Sequence, residues 1–274
     1  MVIGHGNNAD ILQATINHFD SDKIDFFVHW DKKWPKPTLC AKDSQIIWVK
    51  KPLRSRWGTD SLVWTEKLLF EEVKATGRKY DYVHLISAAD MPLMTKDYFI
   101  DYFTNELYLG FVENVDDKVY RRLSWWYPSN INYRSRSHIG AVILKIVVLI
   151  NRIFKVNRLS KHKDIIVEKG CQWFSMKGKY LDTVLNYSNY DIFKHTFLTD
   201  EVYLQTILRE YKPKTLFNDN EMAARYIDWK RGIPYVFKNT EEDIHELRGL
   251  INTKYAFARK IESVEVLKNV FSKN

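Results

Sequence analysis

The 274-residue chain is 28% charged and 45% hydrophobic, a balance that excludes a disordered or fibrous protein and leaves room for one large domain with a sizeable core. Its formal net charge of +8 attracts nucleotide phosphates, nucleic acid or an anionic membrane. With no zinc-finger spacing or RNP-type strand to accompany that charge, nucleic acid is not an expected partner.

The two cysteines, Cys40 and Cys171, make neither a disulfide framework nor a metal-ligand spacing, and predict a reduced protein. The opening Met1-Val2-Ile3-Gly4-His5 carries no signal-peptide pattern, so a cytoplasmic location is expected. In chain order, Val2-Ile3 is a strand stub, and Asn8 is placed to cap a helix with Ile11, Leu12, Ile16 and Phe19 on one face. Ile24 to His29 reads as a buried strand and Gln45 to Val49 as another. A helix follows from about Thr59 to Thr76, carrying Leu62, Val63, Leu68, Leu69 and Val73, then an apolar strand from Tyr80 to Ser87 and a further one from Tyr108 to Glu113. This alternation predicts an α/β fold with a mostly parallel central sheet flanked by helices. Ligands in such sheets bind beyond the carboxyl ends of the strands, where His5, Asp31 and Asp90 stand.

No repeat, low-complexity tract or linker divides the chain. It reads as a single domain over 1–274, with a nucleotide-binding half (1–110) and an acceptor and catalytic half (111–274). Residues 139–156, IGAVILKIVVLINRIFKV, approach the length of a spanning helix, but Lys145, Asn151, Arg152 and Lys155 interrupt them. A basic helix on an anionic membrane surface fits the pattern, with Arg134, Arg136, Lys161 and Lys163 adding charge through 139–163. A helix buried in the domain is the alternative.

Several blocks, taken in order, carry a resemblance. They are His5 with Val28-His29-Trp30-Asp31-Lys32-Lys33, Trp57-Gly58 with Ser61-Leu62-Val63, and Tyr80 to Leu93 (YDYVHLISAADMPL). Gly170 to Ser175 (GCQWFS), Thr199 to Thr206 (TDEVYLQT), Arg225 to Trp229 (RYIDW) and Phe257 to Lys260 (FARK) complete the set. Together they resemble the core-2/I-branching β-1,6-N-acetylglucosaminyltransferases and related xylosyltransferases. Thr59 stands where that pattern has a second glycine. The family's animal members carry an amino-terminal membrane anchor and several disulfides, so a bacterial-type member is implied.

The resemblance implies a GT-A-like fold and an inverting, metal-independent transfer from a nucleotide sugar, with UDP-N-acetylglucosamine the leading donor. It also implies a saccharide or lipid-linked saccharide acceptor, cell-surface polysaccharide synthesis and a place at the inner membrane face. Xylose, glucose or galactose donors, or a non-catalytic nucleotide- or glycan-binding protein, remain alternatives. Glu201 is the implied base, since an inverting transfer needs one carboxylate to take the acceptor's proton. Asp200 and Glu201 are expected to begin a helix, a place that favours charged carboxylates; Asp200 is expected as a cap or a neighbour of the base.

Arg225 and Lys260, with Arg259 beside them, are the implied diphosphate cations. His5, Asp31 and Asp90 are candidate donor contacts. Glu113, Arg121, Arg122, Trp125 and Trp173 are candidate acceptor contacts, although the Trp125-Trp126-Tyr127 run also suits loop packing. Gly170 to Trp173 are expected to floor the cleft, with Trp173 buried; Cys171 has no placeable histidine partner and is not expected to act as a nucleophile. No metal ligand set and no cofactor are expected. The Asp-x-Asp triplet Asp20-Ser21-Asp22 precedes a strand and reads as a helix-ending turn.

Overall fold

In the computed structural model, which describes residues 1–133 and 139–272, the chain opens with a parallel sheet. Strand β1 (Val2–Gly4) leads through helix α1 (Asp10–Phe19) to β2 (Phe26–Trp30), β3 (Ile46–Trp48) and helix α2 (Ser61–Ala75). β2 is buried at every position, which is why FFVHW reads as a continuous apolar run rather than an alternating one. α1 buries Leu12, Ile16 and Phe19, and α2 buries Val63, Leu69, Phe70 and Val73, the spacing of one helical face. The Asn8 side chain accepts from the Asp10 N–H at 2.7 Å, one residue ahead of the N-cap, Ala9. Asp20 ends α1, as the triplet predicted; it accepts from the N–H groups of Lys42, Asp43 and Ser44 at 2.7, 3.0 and 2.8 Å.

The expected strand from Tyr80 to Ser87 is two strands, β4 (Tyr82–His84) and β5 (Ile86–Ser87), which join different sheets. The break falls at Leu85, whose N–H donates to the Phe174 carbonyl, while the Ile86 N–H donates to Met1. Next come β6 (Asp90–Pro92), α3 (Lys96–Tyr102), β7 (Leu107–Leu109), α4 (Asp117–Ser124), α5 (Ile139–Ile153), β8 (Phe174–Lys177), α6 (Tyr180–Leu185) and α7 (Tyr203–Ile207). The chain finishes with α8 (Asp219–Met222), β9 (Arg225–Ile227), α9 (Glu241–Arg248), β10 (Phe257–Arg259) and α10 (Val264–Phe271).

The first sheet runs β3-β2-β1-β5 with every pair parallel. A second, β4-β8-β7, is antiparallel. The third runs β6-β10-β9, with β10 antiparallel to β6 and parallel to β9. Strands from both halves of the sequence therefore share the second and third sheets. Just after β7 and before β8, backbone meets backbone: a Cβ on Gly170 would lie 1.8 Å from the Gly110 carbonyl oxygen, so only glycine fits.

α5 lies on the surface, resting on Gly140, Val147 and Asn151. Among the described residues no helix is long and apolar enough to cross a membrane. Arg134 and Arg136 lie outside the described residues.

Candidate active site

A cleft of about 1400 Å³ opens beyond the carboxyl ends of the parallel strands, where this class of sheet binds ligands. Gly4 at the end of β1 and His5 after it reach the cleft, Asp31 follows β2, and Ser87 at the end of β5 leads on through Ala88 and Ala89. His5 is exposed, whereas Asp31 is buried at the rim. The Asp31 N–H donates to the Gly4 carbonyl at 2.9 Å and its carboxylate accepts from the Lys33 N–H at 2.8 Å, so both strand ends are fixed together.

Two adjacent cations of the cleft stand at the end of β10. Arg259 stands opposite Asp90 in the β10–β6 register, and its guanidinium donates to Asp90 Oδ1 at 2.8 Å and Ser87 Oγ at 2.6 Å. The Asp90 carboxylate also accepts from the Ser87 N–H and hydroxyl at 2.6 and 2.7 Å. With 1% exposure and no place in the cleft wall, Asp90 is not positioned to touch a donor; it holds Arg259. The Arg259 guanidinium lies 4.0 Å from the centre of the Trp173 ring, so buried Trp173 is first a platform for that cation. Lys260 continues from β10 into the cleft.

Arg225 corrects the sequence expectation. It is 1% exposed and outside the cleft wall. Its guanidinium donates to the carbonyls of Ala223, Leu85 and Phe174 at 2.7, 3.1 and 2.6 Å. These lie near the point where the Tyr80–Ser87 segment changes sheets, and a planar fork of donors serves them together. Burial pulls the Arg225 group down to about 10. Arg225 is a structural rivet, and the cleft's cations on this side are Arg259 and Lys260.

Glu201 faces the cleft from the second half. Its Oε2 accepts from Arg122 Nη1 at 2.8 Å and lies 3.7 Å from Lys169 Nζ, and its carbonyl accepts from the Gly170 N–H at 3.0 Å. The expected helix at Asp200 and Glu201 is instead a 3-10 turn, Thr199–Glu201, followed by the five-residue α7. The turn is entered through Leu198 at φ 49°, a left-handed conformation that non-glycine residues hold only under constraint. The Leu198 N–H bonds to the Gly58 carbonyl at 3.1 Å, tying the Glu201 turn to the Trp57-Gly58 block. Asp200 makes no cap bond. It is buried, with Oδ1 unpartnered among the described residues, and burial followed by the Glu201 charge pushes its carboxyl well above the usual range.

The proposed acceptor set divides. Arg122 and Trp173 reach the cleft, whereas Glu113, Arg121 and Trp125 do not line it. Glu113 is exposed beyond β7. Arg121 pairs with Asp117 one turn earlier on α4 and lies 5.3 Å from the Trp125 ring, an i,i+4 arrangement that turns it along the helix surface. Gly170 to Trp173 line the cleft as expected, and burial pushes the Cys171 thiol up to about 12, which leaves it unreactive.

Other cleft residues were not anticipated. Trp57 and Trp229, 42% and 50% exposed, line it; both sit inside motif blocks, which is the signal the sequence offered. Lys169 and the Asn218-Asp219-Asn220 run complete the wall. That run's visible signature is local, since Asn218 caps α8. Glu66 was also missed. It is fully buried on α2, accepts from Gln172 Nε2 at 2.9 Å and the Tyr203 hydroxyl at 2.5 Å, and burial raises its carboxyl to about 8. It falls on the same face as Val63, Phe70 and Val73, which the helical spacing already shows. Among the described residues no group of three or more His, Cys, Asp or Glu side chains gathers as a metal site.

No curated relative matches the chain. The family described as Core-2/I-Branching enzyme matches residues 1–248, nearly all of the 274-residue sequence and every motif block except Phe257 to Lys260. With its mixed α/β, GT-A-like fold and its parallel sheet opening onto the cleft, the protein belongs to the core-2/I-branching enzyme family of glycosyltransferases, which use a nucleotide-sugar donor and a saccharide acceptor.

Proposed function

We propose that the protein is an inverting, metal-independent transferase that moves N-acetylglucosamine from UDP-N-acetylglucosamine to a saccharide hydroxyl, forming a β linkage in cell-surface polysaccharide synthesis. One observation carries the reading: a single cleft is lined by a carboxylate, Glu201, and by the adjacent cations Arg259 and Lys260. In the step, the acceptor oxygen attacks the anomeric carbon as that carbon's bond to the diphosphate oxygen breaks. The acceptor proton passes to Glu201, and the bonding electrons leave with the nucleoside diphosphate.

Arg122 and Lys169 contact Oε2 of the base, which leaves Oε1 to receive the proton. Arg259 and Lys260 offset the charge growing on the diphosphate, a role fixed cations fill best when they need no reorganisation. Arg259 meets that condition because Asp90, Ser87 and Trp173 hold it. His5 and Asp31 stand at the strand ends on the donor side, and Trp57 and Trp229 offer apolar faces for sugar rings.

The test is release of nucleoside diphosphate from a panel of UDP-, GDP- and dTDP-sugars, with and without EDTA, for the wild type and Glu201→Gln. The expected result is one UDP-sugar turned over in EDTA, with kcat lowered about 10²–10⁴-fold by the substitution and donor affinity retained. Full turnover by Glu201→Gln would remove Glu201 as base. Turnover abolished by EDTA would mean that a metal, rather than Arg259 and Lys260, offsets the diphosphate charge. Nucleotide binding without turnover of any donor would favour a binding protein.

A further inference from the structure

Helix α5 carries apolar side chains almost all round, and much of that surface faces solvent. Ile139, Val142, Ile146, Leu149, Ile150 and Ile153 recur at helical spacing along one face, each between 47% and 65% exposed. Phe154, 73% exposed, follows directly. A contiguous apolar stripe of this kind marks an interaction surface rather than scattered surface residues.

The helix is not loosely placed. A Cβ on Gly140 would lie 2.4 Å from the Asn132 carbonyl oxygen. Buried Asn151 clamps Trp126, accepting from its N–H and donating to its carbonyl, both at 2.9 Å. The opposite side of α5 is thus fixed to the protein, and the stripe is held outward.

Charge identifies the occupant. α5 contains no acidic residue, and the exposed Lys145 and Arg152 flank the stripe; Lys155, Lys161 and Lys163 follow, also exposed. A second copy of the chain seated symmetrically on this helix would set Lys145 and Arg152 against their own images, with no carboxylate on the helix to pair them. An anionic bilayer supplies the missing charge. It also accepts the apolar stripe, while the long stems of Lys and Arg reach to the headgroups.

We propose that α5 seats the protein peripherally on an anionic lipid bilayer, apolar stripe inward and flanking cations on the headgroups. The Asn151 clamp joins α5 to the segment after α4, and α4 carries Arg122, which holds Glu201. Docking there keeps the protein at the surface that carries lipid-linked saccharides, a consequence that rests on the proposed transferase activity.

The test is co-sedimentation of the full chain with vesicles of phosphatidylglycerol or of pure phosphatidylcholine. Wild type, Val142→Ser/Ile146→Ser/Leu149→Ser/Ile153→Ser and Lys145→Gln/Arg152→Gln/Lys155→Gln are compared, with Tm and donor hydrolysis as controls for folding and catalysis. Expected is salt-sensitive binding of the wild type to phosphatidylglycerol vesicles. The charge variant should bind about a hundredfold more weakly, since each basic residue near an anionic surface contributes several-fold. Binding should be lost in the apolar variant, with Tm and hydrolysis unchanged in both. Failure of the wild type to sediment with phosphatidylglycerol at low salt overturns the proposal, as does undiminished binding by the apolar variant. A dimer that the apolar variant dissolves, without vesicle binding, overturns it in favour of a second copy. Vesicle binding by a protein that turns over no donor upholds the docking surface while refuting the transferase reading.

Discussion

Replacing Glu66 with Gln tests whether a buried carboxyl sets the pH range of this fold. Glu66 has no exposed surface, and burial raises its carboxyl from the ordinary 4.5 to about 8. Because the folded-state value is the higher one, the native protein holds a proton there that the unfolded chain releases. The stability linked to that proton is fully present below pH 4.5, falls by up to about 1.4 kcal/mol per pH unit, and is gone above about pH 8. Across that window the total is about 5 kcal/mol, a large part of the stability of an ordinary domain. Glutamine keeps the shape and can still accept from the Tyr203 hydroxyl, but it cannot titrate. Urea unfolding of wild type and Glu66→Gln at a series of pH values therefore has a defined outcome: the difference should move steadily in favour of Gln as pH rises from about 5 to 8. Taking the difference removes groups common to both proteins, apart from buried Asp200, whose charge is itself one cause of the raised Glu66 carboxyl. A difference that stays constant with pH would refute the reasoning, and would mean that Glu66 is ionised in the folded protein with its two donors sufficient to hold the charge.

Arg225→Met should lower stability by about 3 kcal/mol or more, because several buried carbonyls lose their donor together; a raised donor KM at unchanged Tm would return Arg225 to the diphosphate. Asp90→Asn should weaken the charge-assisted hold on Arg259 by about 1.5–3 kcal/mol, read as a raised donor KM with acceptor KM unchanged, and an unaltered donor KM would separate Asp90 from the donor site. Gly170→Ala should cost about 1–3 kcal/mol by overpacking against the Gly110 backbone and should also lower kcat through the displaced Glu201 turn; a wild-type Tm would contradict the close approach.

Parts of the fold with a long periodic signal were legible. α1, α2 and β2 appear within a few residues of the expected bounds, since each has enough apolar positions to define a period. Three of the short strands were not: β6, β9 and β10 exist because they pair with one another across long stretches of sequence. The apolar run from Tyr80 to Ser87 gave its strand character correctly but hid the change of sheet at Leu85, because apolar pattern reports burial and not the identity of the hydrogen-bonding neighbour. In the site, Glu201, Arg259 and Lys260 were placed in the cleft by motif order, whereas Lys169 and Asn218 to Asn220 reach it only through tertiary packing.

Arg225 and Asp90, inside motif blocks, and Glu66, outside them, show why a buried ionisable residue need not meet the ligand. Each joins segments that the sequence holds far apart: Arg225 binds the carbonyls of Leu85 and Phe174, Asp90 binds Arg259, and Glu66 binds Gln172 and Tyr203. A buried polar group left unpartnered is costly, so these partners fix the geometry between the segments they join. Arg259 and Lys260 illustrate the difference within one strand end. Arg259 is anchored on its inner side by Asp90 and Trp173, and Lys260 follows it into the cleft wall. On the proposed reading, Arg259 is thereby positioned for a diphosphate by a charge that lies outside the cleft wall, so loss of the buried Asp90 charge should read out in donor binding rather than in the fold alone.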